Sequence, residues 1–149
     1  MNTDLVYKIF KPADSASALP LRLAAGVIFS AHGAQKLFGW FGGYGLEGTG
    51  QFMASMGLEP GLLMALLTGG AEFFGGLALL LGLAVRPASM LLAITMLVAI
   101  VSVHLPNGLF LTNSGYEFAL ALLGISIALL IQGAGCWSLD NLIVRNLNS

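Results

Sequence analysis

Long apolar runs, separated by short polar or glycine-rich stretches, make up most of this chain. Four of these runs approach or reach the roughly 20 residues with which a helix crosses a bilayer. They comprise residues 20–38, 61–83, 87–105 and 116–132. The pattern therefore predicts an all-α fold, an integral membrane four-helix bundle built from a single domain.

Composition strengthens the membrane interpretation. Of the 149 residues, 57% are hydrophobic and only 9% are charged, whereas about 25% of the residues of a soluble domain are charged. A surface with so few charges suits lipid rather than water, and the apolar content excludes intrinsic disorder. The net charge of −1 provides no basic patch for phosphate groups, so we expect no nucleic-acid partner.

Two further classes are excluded or disfavoured. The single cysteine, Cys136, excludes an internal disulfide and a metal or iron–sulfur site built from cysteines alone. Residues 1–20 carry lysines and aspartates and no continuous apolar segment. We therefore expect no signal peptide there.

The positions of the basic residues predict the topology. If the chain crosses the membrane four times, five of the six basic residues lie on one side and Lys36 lies on the other. The five are Lys8, Lys11, Arg22, Arg86 and Arg145. Because basic residues concentrate on the cytoplasmic side, we expect both termini in the cytoplasm and residues 39–60 outside it. Within that loop, residues 51–56 predict either a short helix against the bundle or an ordinary interfacial loop.

Several ionisable residues interrupt the apolar runs near their outer ends. They are His32, Lys36, Glu72, His104 and Glu117. Ionisable groups are costly in a bilayer and usually face the interior of a bundle. We therefore expect these five side chains to line one cavity in the outer half of the membrane. His32 and Lys36 are four residues apart and share a helix face.

This set of side chains suits a quinone or phenolic ligand. A histidine or lysine donates a hydrogen bond to a ligand oxygen, and a carboxylate accepts or delivers a proton. We interpret Glu72 as the proton-handling residue and His32 and Lys36 as hydrogen-bond donors, which makes these three the candidate catalytic residues. Five more are candidate ligand-binding residues: Gln35, His104, Asn107, Tyr116 and Glu117.

Other interpretations of the same residues stay open. Glu72 and its basic neighbours also suit a buried structural ion pair. Two histidines and two glutamates are suitable ligands for zinc, manganese or iron, but no pair has tight ligand spacing, so we assign no metal ligand. Intramembrane carboxylates also line ion pathways, which leaves a small transporter as another alternative.

Small residues flank the two carboxylates. Gly69 and Gly76 share a helix face with Glu72, so another helix can approach there. A second small-residue face follows Glu117 and consists of Ala121, Gly124 and Ala128. Residues 30–32 and 102–104, each ending in histidine, suggest two related helical hairpins, or a chance match.

Charged residues also lie at the inner ends of the runs. Arg22 and Arg86 flank this edge, and an arginine paired with Asp140 would tie the C-terminal segment to the bundle. Snorkelling or topology marking explains both arginines equally well. We favour the structural role.

The order of several short motifs resembles the DoxX family of small four-helix membrane proteins. The motifs are HGAQK at 32–36, EFFGG at 72–76, GYE at 115–117 and SLD at 138–140. The resemblance extends over residues 19–142. It implies a multi-pass protein of the bacterial inner (cytoplasmic) membrane, of a family often described as oxidoreductases. Its relatives are linked to a thiosulfate:quinone oxidoreductase, to quinone or catechol detoxification and to oxidative-stress defence.

The leading hypothesis is therefore an oxidoreductase, or a subunit of one, that binds a quinone or phenolic compound. The chain shows no flavin, haem or iron–sulfur motif, so electrons would come from the quinone itself or from a redox partner protein. Exposed small-residue stripes also permit a homodimer. The rival hypothesis is a non-enzymatic membrane scaffold or assembly partner, whose polar residues hold helices together.

Overall fold

The computed structural model describes residues 16–147. Within them lie six α-helices and no strand, so the all-α prediction is confirmed. They are α1 (Ala18–Phe38), α2 (Gly45–Ser55), α3 (Gly61–Leu81), α4 (Val85–Ala99), α5 (Glu117–Gln132) and α6 (Leu139–Leu147). Lys8 and Lys11, and most of the segment considered for a signal peptide, lie outside the described residues.

Shorter helical turns connect these elements. Single 3-10 turns occupy Trp40–Gly42, Leu105–Asn107 and Leu111–Asn113. α4 continues without a break into a π-helix, Ile100–His104. With these extensions, α1, α3, α4 and α5 cover the four predicted apolar runs, and their ends differ from the predicted ones by at most two residues.

Only part of the predicted membrane character is confirmed. Among the described helices, Gly61–Leu81 and Val85–Asn107 are long and apolar enough to cross a membrane. α5 is apolar but has 16 residues, fewer than the roughly 20 that span a bilayer at a rise of about 1.5 Å each. α1 has 21 residues, but five polar or charged residues lower its hydropathy: Arg22, Ser30, His32, Gln35 and Lys36.

α1 and α3 form the most extensive helix pair, and α4 and α5 form the next. Glycines bring α1 and α3 into backbone contact. A Cβ atom at Gly76 would lie 2.5 Å from the backbone nitrogen of Ser30, and one at Gly26 would lie 2.9 Å from the carbonyl oxygen of Gly76. At Gly33, a Cβ atom would overlap the backbone of Phe73. α1 is therefore the helix that approaches the small-residue face around Glu72.

The second small-residue face is not used in this way. Ala121 and Gly124 are exposed. A Cβ atom at Gly124 would meet nothing within 4 Å. Within the described chain, that face of α5 is open.

The core lies between the long helices and is filled by large apolar side chains. Phe29, Leu79, Leu92 and Leu129 are at most 1% exposed. We use "outer end" for the end at which α1 finishes and α5 begins, and "inner end" for the opposite one.

α2 covers the outer end. Of the two alternatives for the loop at residues 39–60, the structure shows the helix, which is longer than predicted. Its glycine face packs on the start of α3, where a Cβ atom at Gly50 would lie 3.0 Å from the Cα atom of Leu62. The hydroxyl of Thr49 donates to the carbonyl of Lys36 at 3.4 Å, which links α2 to the end of α1.

Candidate functional site

A cavity of about 290 Å³ lies at the outer end, between α1, α3, α4 and α5 and beneath α2. Four of the predicted site residues line it: His32, Lys36, Glu72 and His104. Most of its other lining residues are apolar, among them Phe29, Met53, Met96, Phe118 and Leu122. A small apolar space with a few convergent polar groups is the usual form of a site for a small organic molecule.

An ion pair forms the polar part of the cavity wall. The Nζ atom of Lys36 lies 2.5 Å from Oε2 of Glu72. The side chain of Glu72 is only 4% exposed, whereas that of Lys36 is 25% exposed. The close approach of α1 and α3 brings these two side chains together, since Lys36 lies on α1 and Glu72 on α3. Lysine thus neutralises a carboxylate that is almost completely removed from solvent.

His32 lies one helical turn before Lys36 and also lines the cavity. Its ring stands 6.1 Å from the ring of Phe118, tilted by 51°. No described residue forms a hydrogen bond with either ring nitrogen of His32. The ring is therefore available to a ligand as donor or acceptor.

His104 occupies the last position of the π-helix that extends α4. Its Nδ1 atom lies 2.8 Å from the carbonyl oxygen of Ser114. A carbonyl oxygen can only accept, so Nδ1 carries the hydrogen and Nε2 of a neutral ring is left as an acceptor. π-helical turns are frequent at functional sites, and here the turn sets the position of a cavity residue.

The remaining predicted site residues do not line this cavity. Glu117 accepts a hydrogen bond from the backbone N–H of Leu111 at 2.6 Å, which fixes the outer loop before α5. The side-chain amide of Asn107 donates to the carbonyls of Val103 and Ser114. That of Gln35 donates to the carbonyl of Phe41. Tyr116 packs against the apolar core.

The cavity also contains residues that sequence reasoning did not single out. Thr68 precedes Glu72 by one turn of α3, so its spacing to Glu72 was a usable signal. Thr95 lines the opposite wall, on α4. Both hydroxyls donate to carbonyls of their own helix, Met64 at 2.7 Å and Leu91 at 2.9 Å. The apolar lining residues give no sequence signal that separates them from the core.

No three described histidine, cysteine, aspartate or glutamate residues group closely enough to hold a metal ion. The titratable part of the site thus consists of one ion pair and two histidines around an apolar space. Chemically, this arrangement can hydrogen-bond an oxygen atom, exchange one proton with it and exclude water from the rest of the ligand.

A second buried polar cluster lies at the inner end. The side chain of Arg22 donates from Nε to the carbonyl of Leu79 at 3.1 Å and from a terminal nitrogen to the carbonyl of Ala134 at 2.5 Å. The carboxylate of Asp140 accepts from the backbone N–H groups of Ala84 and Val85 at 2.6 and 3.0 Å. Asp140 thereby ties α6 to the turn between α3 and α4.

The electrostatics of this inner cluster are those of a closed structural unit. Arg22 and Asp140 are 2% and 1% exposed. Burial raises the pKa of Asp140 above its ordinary value, while the N–H groups of Val85 and Ala84 and the guanidinium groups of Arg22 and Arg86 oppose this rise. No cavity residue belongs to this cluster.

Comparison with known proteins identifies relatives. The DoxX family model matches residues 17–105. A protein of Bacillus subtilis (strain 168) named "Putative oxidoreductase CatD" is 37% identical over 127 residues, which cover 85% of this chain and 87% of that protein. No solved structure matches the chain.

Proposed function

Since the chain belongs to the DoxX family, we propose that it is a membrane oxidoreductase, or a subunit of one, that binds a quinone or phenolic compound in the outer-end cavity. The relationship to CatD supports an oxidoreductase-like role in a membrane. The observation that carries the ligand class is the cavity itself, in which an ion pair and an uncommitted histidine face a largely apolar space.

The chemistry of the wall favours an uncharged ring that carries oxygen atoms. Lys36 and Glu72 neutralise each other, so an additional charged group in the cavity would be desolvated without a partner. A carbonyl oxygen can accept from Lys36 or His32. A hydroxyl can donate to Glu72 or to Nε2 of His104. Quinones and phenols offer these two oxygen types on a flat apolar ring.

Glu72 is the residue best placed to handle a proton. Its buried carboxylate takes a proton from a ligand hydroxyl, or returns one, while Lys36 compensates the change of charge at 2.5 Å. His32 and Lys36 orient the ligand oxygen. The electrons go to a redox partner protein or come from it. The proposal includes quinone binding and a role in oxidative or quinone stress defence.

The membrane arrangement is part of the same proposal. Four helices, α1, α3, α4 and α5, would cross a bacterial inner membrane, with both termini in the cytoplasm and α2 on the outer surface. Exposed aromatic side chains at the outer end, Trp40, Phe41 and Tyr44, suit the interface between lipid and water. A homodimer stays a prediction.

The test is to identify small molecules and metals that co-purify with the detergent-solubilised protein, using mass spectrometry. We expect a quinone or phenolic compound in stoichiometric amount, and we expect Glu72→Gln to lose it. Glu47→Gln is the matched control, because Glu47 is an exposed α2 carboxylate that does not line the cavity. A ligand retained equally by both variants would contradict the assignment of Glu72, and a stoichiometric metal would favour a metal site instead.

One observation favours the rival function, a non-enzymatic scaffold. Glu72 is ion-paired with Lys36 and precedes Phe73, whose backbone lies against Gly33 of α1, as expected of a residue that holds helices together. If Glu72→Gln prevents accumulation in the membrane and the wild-type protein carries no ligand, the scaffold interpretation is correct. If the variant accumulates normally but loses turnover or ligand, the oxidoreductase interpretation is supported.

A further inference from the structure

A second space lies beside the cavity at the outer end. An open groove of about 700 Å³ lies between α2 and the end of α1. Its lining is more polar than that of the cavity and includes Gln35, Tyr44, Thr49, Gln51 and Ser55. Three residues line both spaces: Lys36, Phe52 and Met53. We call these three residues the partition.

The two α2 residues of the partition differ in exposure. Phe52 is 46% exposed and Met53 is 7% exposed, and both belong to α2. Long unbranched methionine side chains change rotamer easily, and a half-exposed phenylalanine is held by few contacts. These two side chains are therefore the ones whose rotation would widen a passage between the groove and the cavity.

Lys36 is the only charged residue that lines both spaces within the described chain. Its ammonium group lies against Glu72, and a quarter of its side chain is exposed. It therefore connects a carboxylate buried in the cavity wall with the solvent side of α2.

The inner side of the cavity offers no comparable route. Phe29 forms part of its wall and is 1% exposed. Further inward, Leu79 and Leu129 are fully buried, and α1 and α3 are in backbone contact at Gly26 and Gly76. A ligand would meet closely packed helices on that path, where the polar side chains of Ser89 and Ser126 are also fully buried.

We propose that the outer groove is the entrance to the cavity and that Phe52 and Met53 of α2, together with Lys36, form a gate between them. An uncharged oxygen-bearing ring compound enters from the outer surface, past the polar groove, and its protons leave by the same side through Lys36. The gate rests on the residues that line both spaces, whereas the class of ligand rests on the proposed function.

The test is thiol labelling from one side of the membrane. In a Cys136→Ser background, single cysteines are introduced at Gln51 in the groove, at Ala99 in the cavity and at Leu97, which lines neither space and is 53% exposed on α4. With a membrane-impermeant maleimide added to spheroplasts, we expect fast labelling of Gln51→Cys, slow labelling of Ala99→Cys and none of Leu97→Cys.

Opening the partition should change only the cavity position. We expect Phe52→Ala and Met53→Ala each to speed the labelling of Ala99→Cys several-fold and to leave Gln51→Cys unchanged. Phe110→Ala and Met56→Ala are matched controls, since both residues lie exposed at the outer end and line neither space. If Met53→Ala does not accumulate, the half-exposed Phe52 carries the test alone.

Two results would overturn the gate. Either the Ala99→Cys rate is unchanged by both partition variants, or it labels faster from inside-out vesicles than from spheroplasts. Labelling of Cys136 in the wild-type protein, at the inner end, tests the proposed topology independently of the gate. If Cys136 labels from the outside, the orientation is reversed. The gate then fails only if the partition variants leave Ala99→Cys labelling unchanged in the vesicles that expose α2.

Discussion

At the inner end, Arg22 and Asp140 use their hydrogen bonds on backbone groups, whereas at the outer end Lys36 and Glu72 use theirs on each other. The inner pair is at most 2% exposed and connects α1, the turn after α3 and α6. The outer pair faces a cavity, beside a histidine with no hydrogen-bond partner among the described residues. Both ends bury charge, and of these two pairs only Lys36 and Glu72 line the cavity.

This difference separates a charged pair that is bonded to the backbone from one that faces a cavity. A buried polar group is stable when backbone or side-chain partners satisfy it. Arg22 and Asp140 meet this condition through fixed carbonyl and N–H groups. His32 is exposed and His104 is half-buried, and both line the cavity, where a ring nitrogen can hydrogen-bond a ligand.

The largest effect is expected at the inner end, from Asp140→Ala. This change leaves the N–H groups of Ala84 and Val85 without an acceptor and leaves Arg22 without its neighbouring carboxylate. Ala84 also has φ +49°, a conformation that a non-glycine residue rarely adopts. We expect the free energy of unfolding to fall by about 3 kcal/mol, measured as thermal stability in detergent.

Asp140→Asn is the graded control, because its side-chain oxygen can still accept one of the two hydrogen bonds. We expect it to be intermediate. Ligand content per folded molecule should be the same in both variants, since Asp140 does not line the cavity. Equal stability of Asp140→Ala and wild type would show that the inner cluster does not hold α6.

The next effect concerns the helix contact that closes the inner half. Gly76→Ala places a Cβ atom 2.5 Å from Ser30 and forces α1 and α3 apart, at a cost of about 1–3 kcal/mol. Gly70→Ala, on the same helix, meets nothing within 4 Å, so we expect it to be neutral or to stabilise α3 by about 0.5 kcal/mol. Thermal unfolding of the two variants side by side measures the difference. Equal destabilisation by both would contradict this account of the α1–α3 contact.

The sequence predicted the helices well because their apolar runs are long and end at glycine and proline residues. It also predicted that His32, Lys36, Glu72 and His104 would meet, since their depth along the spans is fixed by the rise of a helix. The role of Glu117 could not be found in this way. Whether a carboxylate points into a cavity or caps a loop depends on the path of residues 105–116, and that irregular path is set by tertiary contacts.

Of the four predicted spans, two are long and apolar enough to cross a membrane among the described helices. The cavity requires polar residues on α1, and these lower the hydropathy that identifies a spanning helix. α1 therefore lines part of the cavity and is less apolar than α3 and α4, which are the two helices long and apolar enough to cross a membrane among those described. The partition between cavity and groove was also beyond the sequence, because α2 was only one of two alternatives for its loop.

A smaller loss of stability and a large loss of binding are expected for Glu72→Gln. The amide keeps the shape of the side chain and one acceptor for Lys36, whose partial exposure lets water compensate the rest. We expect a destabilisation of about 1 kcal/mol together with loss of the bound ligand. A destabilisation as large as that of Asp140→Ala, with ligand retained, would make the outer pair structural and remove the contrast between the two ends.

The smallest effect is expected for Glu117→Gln, which tests whether Glu117 belongs to the binding site. Glu117 accepts from the N–H of Leu111 in an exposed loop, so replacing the carboxylate with an amide weakens one hydrogen bond by about 0.5 kcal/mol. Since Glu117 does not line the cavity, ligand content should equal that of the wild type when the co-purifying compound is measured. Loss of ligand from this variant, with thermal stability unchanged, would place Glu117 in the site after all and extend the binding region to the start of α5.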